Sequence, residues 1–341
     1  MSALVTVTGI TGFVGMRIAA QALNDGYRVR ATLRNTRQGE SVRAWISHAA
    51  PTDNLKFVQA DLLADDGWDE AVTGAAYVIH VASPLILGGV PDDSVLFAPA
   101  VEGTDRVLRA AKNAGVTRVV LTSAAITAAG HITEGAATPT DFTPADDPRA
   151  NVYTRSKIAA EEVVRNFAAD NPSGPEVVTI NPGVIIGPPL NPKEDCESIA
   201  LFQGIWSGAQ PATPDLAFPM ADVRDVANVH LSAMTTESLS GSRYLVSFTT
   251  EPQKLPDIAR ILRNHGNKKA PRLTIPTFVL RILARFNSDL RSLFTSTDGL
   301  SLKIDSSATK KDLEWQPMPF EQSVLDTAQA LEQRQSTGDE R

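Results

Sequence analysis

The stretch TGITGFVG, residues 8–15, carries glycines at intervals of three, at Gly9, Gly12 and Gly15. A β-branched apolar run precedes it and a run with apolar residues at helical spacing follows it, so the sequence predicts a strand, a tight turn and a helix. This order is typical of dinucleotide-binding folds, in which one glycine permits the turn, one lets the backbone approach a pyrophosphate, and one lets helix and strand pack closely. The alternative is a tight turn that binds no ligand.

The predicted helix would present free backbone amides and the positive end of its dipole to the pyrophosphate. The spacing differs from the more usual G-x-G-x-x-G, so the stretch alone indicates a fold better than a function. The residues of this turn that we expect to contact a dinucleotide are Gly9, Thr11, Gly12, Phe13, Val14 and Gly15.

Short β-branched runs alternate with helical patterns through the first half of the chain. The strand patterns lie at 4–8, 27–34, 55–62, 76–83, 118–125 and from 176 onward. Strands that alternate with helices imply right-handed crossovers, so we predict an α/β fold with a Rossmann doubly wound parallel sheet in residues 1–187. Beyond 188 a proline-rich stretch ends the alternation. We predict that 188–341 forms mainly a smaller C-terminal substrate-binding lobe, with a strand and helix near 220–250 returning to the first domain.

Composition argues against several classes of protein. The chain has 341 residues and a net charge of −7, which disfavours a general nucleic-acid or anionic-membrane surface. Its single cysteine, Cys196, cannot form an internal disulfide, which fits a reducing, cytoplasmic setting. There is no apolar run of about 18 residues, and no basic region precedes the first apolar run, so we predict neither a membrane span nor a signal peptide.

The end of the second predicted strand bears on the choice of cofactor. An NAD site often has an acidic residue here that binds the ribose hydroxyls. This chain instead reads Thr32-Leu33-Arg34-Asn35, with Arg37 just beyond. A guanidinium matches the 2′-phosphate of NADP, so we predict NADPH/NADP+ as the cofactor; the alternative is a solvated arginine on a surface loop.

Tyr153 and Lys157 lie in a strongly helical pattern, NVYTRSKIAAEE. Their four-residue spacing places both side chains on one helix face, one turn apart. A free tyrosine titrates at about pH 10, and a neighbouring ammonium favours the phenolate and lowers that pKa. The pair could then exchange a proton with a carbonyl oxygen while a hydride moves at carbon, although the same spacing also occurs on plain exposed helices.

Together these motifs resemble the extended branch of the short-chain dehydrogenase/reductase superfamily. Within it they are most similar to the dihydroflavonol reductase/cinnamoyl-CoA reductase group and its bacterial and yeast aldehyde and ketone reductase relatives. The matching stretches run through nearly the whole chain in the family's order: TGITGFVG, ATLRN, ADL, HVASP, VEGT, VVLTS, YTRSK, NPGVIIGP and IDSSATKKDLEWQP. The resemblance implies NADPH-dependent, reversible reduction of a ketone or an aldehyde.

The resemblance also implies roles for individual residues. Tyr153 would donate the proton, and Lys157 would bind the nicotinamide ribose and tune Tyr153. Arg34 would bind the 2′-phosphate, and Asp61 and Leu62 would contact the adenine. The other implied cofactor contacts are Val81, Ala82 and Ser83 near the riboses and the backbone of Pro182, Gly183 and Val184 at the carboxamide.

One position departs from the family. Members usually read T-S-S after the fifth strand, with the second serine hydrogen-bonded to the substrate carbonyl, whereas this chain reads Thr122-Ser123-Ala124. We expect Ser123 to act as the third catalytic residue, with Thr127, or no hydroxyl at all, as the alternatives. Losing one donor to a developing oxyanion can cost on the order of 100-fold in rate.

Other candidate features favour structural roles. The five histidines show no metal-ligand spacing, so we predict no metal site. The acids Asp222 and Asp225 fit the start of a helix, where the first can act as N-cap. The basic, amphipathic stretch RLTIPTFVLRILARF, residues 272–286, could favour a membrane surface, but the net acidity and the family resemblance favour packing inside the substrate lobe.

We therefore predict a carbonyl reductase, or alcohol dehydrogenase in reverse, that is a cytoplasmic monomer or homodimer. Its partner would be a small carbonyl substrate, with no nucleic acid and no membrane. The alternatives are an NAD-linked epimerase or hydroxysteroid-type dehydrogenase, and a non-catalytic NADP(H)-binding protein, which Ala124 favours. Sugar-nucleotide dehydration is disfavoured because Ala124, Ala125 and Ile126 stand where those relatives carry an acid pair.

Overall fold

The computed structural model describes residues 2–84 and 93–338. The strands in these ranges are β1 (Leu4–Thr8), β2 (Arg28–Leu33), β3 (Leu55–Gln59), β4 (Tyr77–His80), β5 (Arg118–Thr122), β6 (Ala136–Ala137), β7 (Glu176–Pro182), β8 (Val184–Ile186), β9 (Ala212–Pro214), β10 (Ala217–Phe218), β11 (Met220–Asp222), β12 (Arg243–Val246), β13 (Gln253–Lys254), β14 (Leu273–Ile275) and β15 (Lys303–Ile304).

The helices in the same ranges are α1 (Phe13–Asn24), α2 (Gly39–Ser47), α3 (Trp68–Val72), α4 (Ser94–Asn113), α5 (Ile126–Ala129), α6 (Val152–Asp170), α7 (Glu197–Ser207), α8 (Val223–Thr235), α9 (Leu255–Asn264), α10 (Thr277–Leu283), α11 (Ser288–Thr297), α12 (Ser307–Asp312) and α13 (Phe320–Gly338). A short 3-10 helix, Thr36–Gln38, links β2 to α2.

Seven of these strands form one sheet in the order β3-β2-β1-β4-β5-β7-β12, and every neighbouring pair is parallel. The predicted α/β fold with a doubly wound parallel sheet is therefore confirmed. Its central strands are covered on both faces, so that all five residues of β5 are buried, including the polar Arg118 and Thr122. The strand that pairs with β7 at one edge, β12, comes from far along the chain.

The two faces of the sheet carry separate cores. Val120 of β5 belongs to the core that includes side chains of α1, α2 and α8, whereas its neighbours Val119 and Leu121 belong to the core that includes α3, α4 and α6. This is the alternation expected of a strand. The strand order reverses at β1, with β2 on one side and β4 on the other. In open α/β sheets a ligand binds outside the carboxyl ends of the strands at such a point.

A further core lies on the C-terminal side of the molecule. It includes Phe202 and Ile205 of α7, Leu262 of α9 and Val324 of α13, and we call it the lobe core. Two small separate sheets contribute side chains to it: β8 pairs with β11 in parallel, and β10 pairs with β13 antiparallel.

The expectation that residues 272–286 pack inside this lobe is wrong for most of the stretch. Leu280 and Ala284 are buried, but Phe278 is 64% exposed and Phe286 is 86% exposed. The physical reason is that two buried positions on one side suffice to attach so short a helix. Ile275 also packs against that contact, whereas the large apolar side chains of Leu273, Phe278, Ile282, Leu283 and Phe286 are exposed.

Candidate active site

The three glycines between β1 and α1 have three different structural roles. Gly9 has a φ of 72°, and a Cβ there would stand 2.9 Å from the backbone of Ala82. A Cβ at Gly15 would lie 2.3 Å from the carbonyl oxygen of Gly9, so this glycine lets α1 approach the turn. At Gly12 the nearest described atom to a Cβ would be the Gly9 carbonyl oxygen, at 3.5 Å, an ordinary contact. The described protein therefore leaves space beside Gly12.

The N-terminus of α1 opens into that space. Gly12 is the N-cap residue, with φ −87° and ψ 163°, and no side chain caps the helix. The amides of the first turn can therefore bind an anion, which the helix dipole also favours. Thr11 is exposed, whereas the Phe13 side chain belongs to the lobe core, so only the backbone of Phe13 can reach a ligand here. These residues fit a pyrophosphate.

A threonine and a histidine hold the loop after β4 against the end of β1. Thr8 Oγ1 accepts the amide hydrogens of Val81 and Ala82, each at 3.0 Å, and lies 2.8 Å from His80 Nδ1. His80 Nε2 lies 3.3 Å from Thr104 Oγ1. Burial, together with a nearby lysine, lowers the pKa of His80 to about 3, so the ring is neutral. The neutral histidine thus helps to position two of the predicted cofactor residues.

The residues expected at the adenosine end lie just after β2 and β3. Arg34 is exposed, and within residues 2–84 and 93–338 its guanidinium has no hydrogen-bond or ion-pair partner. Asp61 Oδ1 accepts the amide hydrogen of Leu63 at 3.0 Å, which shapes the turn after β3, and Leu62 is half-buried. Because β2 and β3 are adjacent parallel strands, their carboxyl ends lie along the same side of the sheet as the carboxyl end of β1, where the glycine turn follows.

Tyr153 stands in the first turn of α6 and Lys157 one turn later, on the same face. Asn151 caps the helix, since its Oδ1 accepts the amide hydrogen of Thr154 at 2.8 Å. Lys157 Nζ lies 6.0 Å from the centroid of the Tyr153 ring and donates to the carbonyl oxygen of Thr122, at 3.3 Å. The pair is therefore directed toward the carboxyl end of β5.

Burial is the largest influence on the pKa of both Tyr153 and Lys157. It raises the pKa of Tyr153 to about 12 and lowers that of Lys157 to about 8, with the Glu161 carboxylate acting in the opposite direction on the lysine. The expectation that Lys157 holds the pKa of Tyr153 below its ordinary value is wrong for the protein alone. Desolvation of the phenolate outweighs an ammonium 6.0 Å from the ring. Tyr153 is consequently protonated at neutral pH, the form that a proton donor needs.

Glu161, one turn beyond the lysine, is the centre of a buried polar network that the sequence did not reveal. Its Oε1 accepts hydrogen bonds from Ser123 Oγ at 2.5 Å, Thr127 Oγ1 at 2.7 Å and Asn181 Nδ2 at 2.7 Å. Its Oε2 lies 3.0 Å from Arg243 Nε. All five residues are buried. The network joins the end of β5, the short helix α5, the end of β7 and the start of β12 to the helix that carries Tyr153 and Lys157.

One signal of this network was present in the sequence. Tyr153, Lys157 and Glu161 follow one another at four-residue intervals, so the carboxylate belongs to the same helix face as the pair. Its partners Asn181 and Arg243 could not be predicted, because they come from strands that meet α6 only in the folded chain.

The same network takes up the hydroxyl groups that were candidates for binding the substrate carbonyl. Ser123 donates to Glu161, and Thr127 Oγ1 lies 2.7 Å from Glu161 Oε1 and 2.8 Å from the carbonyl oxygen of Ala124. The two residues are only 4% and 2% exposed. A buried carboxylate needs such donors, since leaving it without them would cost several kcal/mol. The structure therefore places Ser123 Oγ on Glu161, which argues against its expected catalytic role. Ala124, at the position of the usual serine, contributes no hydroxyl.

The end of β7 lies next to the end of β5, where the carboxamide contacts were expected. The Ala125 amide donates to the carbonyl oxygen of Pro182 at 2.8 Å, and the Val184 amide donates to that of Pro219 at 2.7 Å. A Cβ on Gly183 would lie 2.3 Å from this Pro219 oxygen, so the close approach requires glycine. The expected contacts at both ends of a dinucleotide thus share one edge of the sheet.

The acids Asp222 and Asp225 have the structural roles that the sequence predicted. Asp222 is the N-cap of α8, and its Oδ1 accepts the amide hydrogen of Arg224 at 2.7 Å. Asp225 Oδ2 accepts the amide hydrogen of Met318 at 2.8 Å. These carboxylates tie α8 to the C-terminal segment.

The sheet, the glycine turn and the Tyr-Lys pair define a Rossmann-type oxidoreductase of the extended short-chain kind. A sequence model of the NAD dependent epimerase/dehydratase family matches residues 5–247, and the chain belongs to this family. The resemblance predicted from the sequence motifs is thereby confirmed.

Several known proteins similar to this chain are named as oxidoreductases or reductases. A cinnamoyl-CoA reductase of Medicago truncatula is 34% identical over 76% of this chain and 80% of its own. An uncharacterized oxidoreductase of Schizosaccharomyces pombe is 31% identical over 97% of both chains. Among solved structures, the yeast methylglyoxal/isovaleraldehyde reductase Gre2, complexed with NADPH, superposes with a TM-score of 0.79 at 24% identity, covering 98% of this chain and 99% of Gre2. At that identity the likeness concerns the fold.

Proposed function

We propose that this protein reduces an aldehyde or a ketone to an alcohol with NADPH, and catalyses the reverse oxidation. The observation that carries the proposal is the placement of Tyr153 and Lys157 on one face of α6, with the lysine bonded to the end of β5. That end lies at the sheet edge that also holds the glycine turn. The names of the similar reductases support the reaction class.

The residues along this edge suit a dinucleotide phosphate. The uncapped first turn of α1 would bind the pyrophosphate, beside the space left open at Gly12. The exposed guanidinium of Arg34, which has no partner among the described residues, would bind the 2′-phosphate. Asp61 and Leu62 would contact the adenine, and the loop that Thr8 positions would line the riboses. When bound, the cofactor supplies the hydride.

Tyr153 would supply the proton. Its raised pKa keeps the hydroxyl protonated until the carbonyl oxygen gains negative charge. Lys157 stays largely protonated at neutral pH because its lowered pKa is still about 8. Its ammonium stabilises the phenolate that proton transfer leaves behind, and it is suited to hydrogen-bond a ribose hydroxyl.

We further propose that no serine or threonine hydroxyl binds the substrate carbonyl, the third of the alternatives raised by the sequence. Ser123 and Thr127 are both committed to Glu161, and Ala124 has no hydroxyl. The Tyr153 hydroxyl would then polarise the carbonyl alone. Loss of the second donor lowers the rate on the order of 100-fold relative to a site that has both.

The test is oxidation of NADPH and of NADH, followed by nicotinamide absorbance, against a panel of aldehydes, ketones and diketones. We expect turnover with NADPH, and Tyr153→Phe to lower kcat by about 100-fold or more with NADPH still bound, because general acid catalysis contributes that much. Tyr27→Phe, a change at a half-buried tyrosine at the end of the turn before β2, is the matched control. Normal turnover in Tyr153→Phe would refute the assignment of the proton donor.

A second candidate is a non-catalytic NADP(H)-binding protein, which the missing hydroxyl at Ala124 favours. In the same assay this protein would bind NADPH and oxidise it with none of the carbonyl compounds.

A further inference from the structure

Large apolar side chains are exposed together on one part of the C-terminal half of the chain. They are Leu273 (69% exposed), Phe278 (64%), Ile282 (51%), Leu283 (43%) and Phe286 (86%). Single exposed apolar residues are ordinary on soluble proteins, but a contiguous group rimmed by polar residues marks a surface that binds something.

The geometry of α10 explains why these side chains point outward together. Phe278, Ile282 and Phe286 are four residues apart, and the turn continues past the end of α10 through a hydrogen bond from the Phe286 amide to the Leu283 carbonyl oxygen, at 2.9 Å. Leu280 and Ala284 lie toward the other side, buried in a small cluster with Phe294. One side of the helix is therefore anchored, and the opposite side is an apolar ridge.

Basic residues flank this ridge. Between Asp257 and Asp289 the sequence contains seven lysines and arginines and no acidic residue, in a chain whose net charge is −7. Arg281 and Arg285 follow the ridge along the helix, and Arg281 is ion-paired with Asp298 at 2.6 Å. Arg285 and Arg272 are exposed, and their side chains have no partner in the described ranges.

We propose that this face, defined by Leu273 and residues 278–286, docks on an anionic lipid bilayer. An apolar ridge beside a basic edge is the arrangement by which interfacial helices insert large side chains while cations meet lipid headgroups. The proposed contact is peripheral, since α10 lies on the surface and remains anchored to the protein through Leu280 and Ala284.

The charge distribution favours a lipid surface over a second copy of the chain. In a symmetric dimer the same patch meets itself, so Arg272 and Arg285 of both copies would enter one interface to which the segment between Asp257 and Asp289 contributes no carboxylate, and the cations would repel one another. An anionic headgroup layer instead attracts them. Side chains that protrude as far as Phe286, 86% exposed, are also suited to enter a deformable acyl layer.

The test is cosedimentation of the full chain with vesicles of phosphatidylcholine, with and without phosphatidylserine. We expect binding to the vesicles that contain phosphatidylserine, weakened by added salt because the headgroup attraction is screened. Replacing both Phe278 and Phe286 with serine should lower the partition coefficient at least tenfold, from the lost burial of two large side chains. Arg285→Gln should lower it roughly fivefold, the effect of one cation near an anionic surface.

Two variants elsewhere are matched controls: Leu63→Ser changes another exposed apolar residue, 59% exposed, and Lys56→Gln removes an exposed cation from β3. Both should bind vesicles as the parent does. Thermal melting checks that each variant is folded. Absence of parent binding, or equal losses in the controls, would overturn the proposal. A third result would also overturn it: the parent sediments as a dimer without binding vesicles, and Phe286→Ser dissociates that dimer. The apolar face would then bind a second copy of the chain.

Discussion

Replacing Gly12 with alanine separates cofactor binding from folding. Its backbone, at φ −87° and ψ 163°, is open to any residue, and the added Cβ would find its nearest described atom 3.5 Å away. We therefore expect the free energy of unfolding to stay within about 0.5 kcal/mol of the parent value, as for changes that create no clash. The same Cβ would occupy the space beside the first turn of α1 where a pyrophosphate oxygen would lie.

The magnitude follows from hydrogen-bond geometry. A phosphate oxygen hydrogen-bonded to a backbone amide lies about 2.9 Å from the nitrogen. If the alanine methyl group displaces that oxygen by roughly 0.7 Å, the distance exceeds the hydrogen-bond range and the bond is lost. A hydrogen bond to a charged group contributes about 1.5–3 kcal/mol. The dissociation constant for NADPH should therefore rise between roughly tenfold and 150-fold.

Gly15→Ala provides the contrast, because its Cβ would lie 2.3 Å from the Gly9 carbonyl oxygen and the turn would have to move. This variant should lose about 1–3 kcal/mol of stability as well as affinity. The measurements are calorimetric titration with NADPH and thermal melting without it. The reasoning about Gly12 is refuted if Gly12→Ala binds NADPH as the parent does, or if it is destabilised as much as Gly15→Ala.

Three further changes test the rest of the site. Arg34→Ser should weaken NADPH binding by about 1.5–3 kcal/mol and leave NADH binding unchanged, because only the 2′-phosphate loses its partner. Titration with each cofactor measures this. Equal losses of affinity for NADPH and NADH would contradict the assignment. Ser123→Ala should keep kcat within about threefold of the parent value. Ala124→Ser restores the family's hydroxyl and should raise kcat by up to about 100-fold. Steady-state rates with the opposite pattern would return the catalytic role to Ser123. The Glu161 carboxylate raises the pKa of Lys157, so Glu161→Gln should lower that pKa further below its value of about 8. Because the proposed reaction needs the Lys157 ammonium, the loss of kcat/KM with rising pH should begin at a lower pH in this variant. An unchanged pH profile in a folded variant would contradict the coupling between the two residues.

Local sequence patterns predicted most of the fold. The glycine turn, the β-branched strands and the helical spacing in 151–162 depend on interactions between residues close in the chain, and the structure has these elements where they were predicted, within a few residues. The N-cap role of Asp222 is equally local. The parallel pairing found in the structure then places the carboxyl ends of these strands, and the expected cofactor residues that follow them, along one side of the sheet.

The sequence by itself thus determined the class of fold, the turn suited to a pyrophosphate and the tyrosine–lysine pair. Only the tertiary structure decided the partners of Ser123, which donates to Glu161 because folding buries that carboxylate of α6 among side chains from α5, β7, β12 and the segment after β5. Desolvation reversed the expected direction of the Tyr153 pKa for the same reason: burial is a property of the folded chain. The outward ridge at Phe278 and Phe286 is a third case, since helical periodicity shows that a face is apolar but not whether anything packs against it.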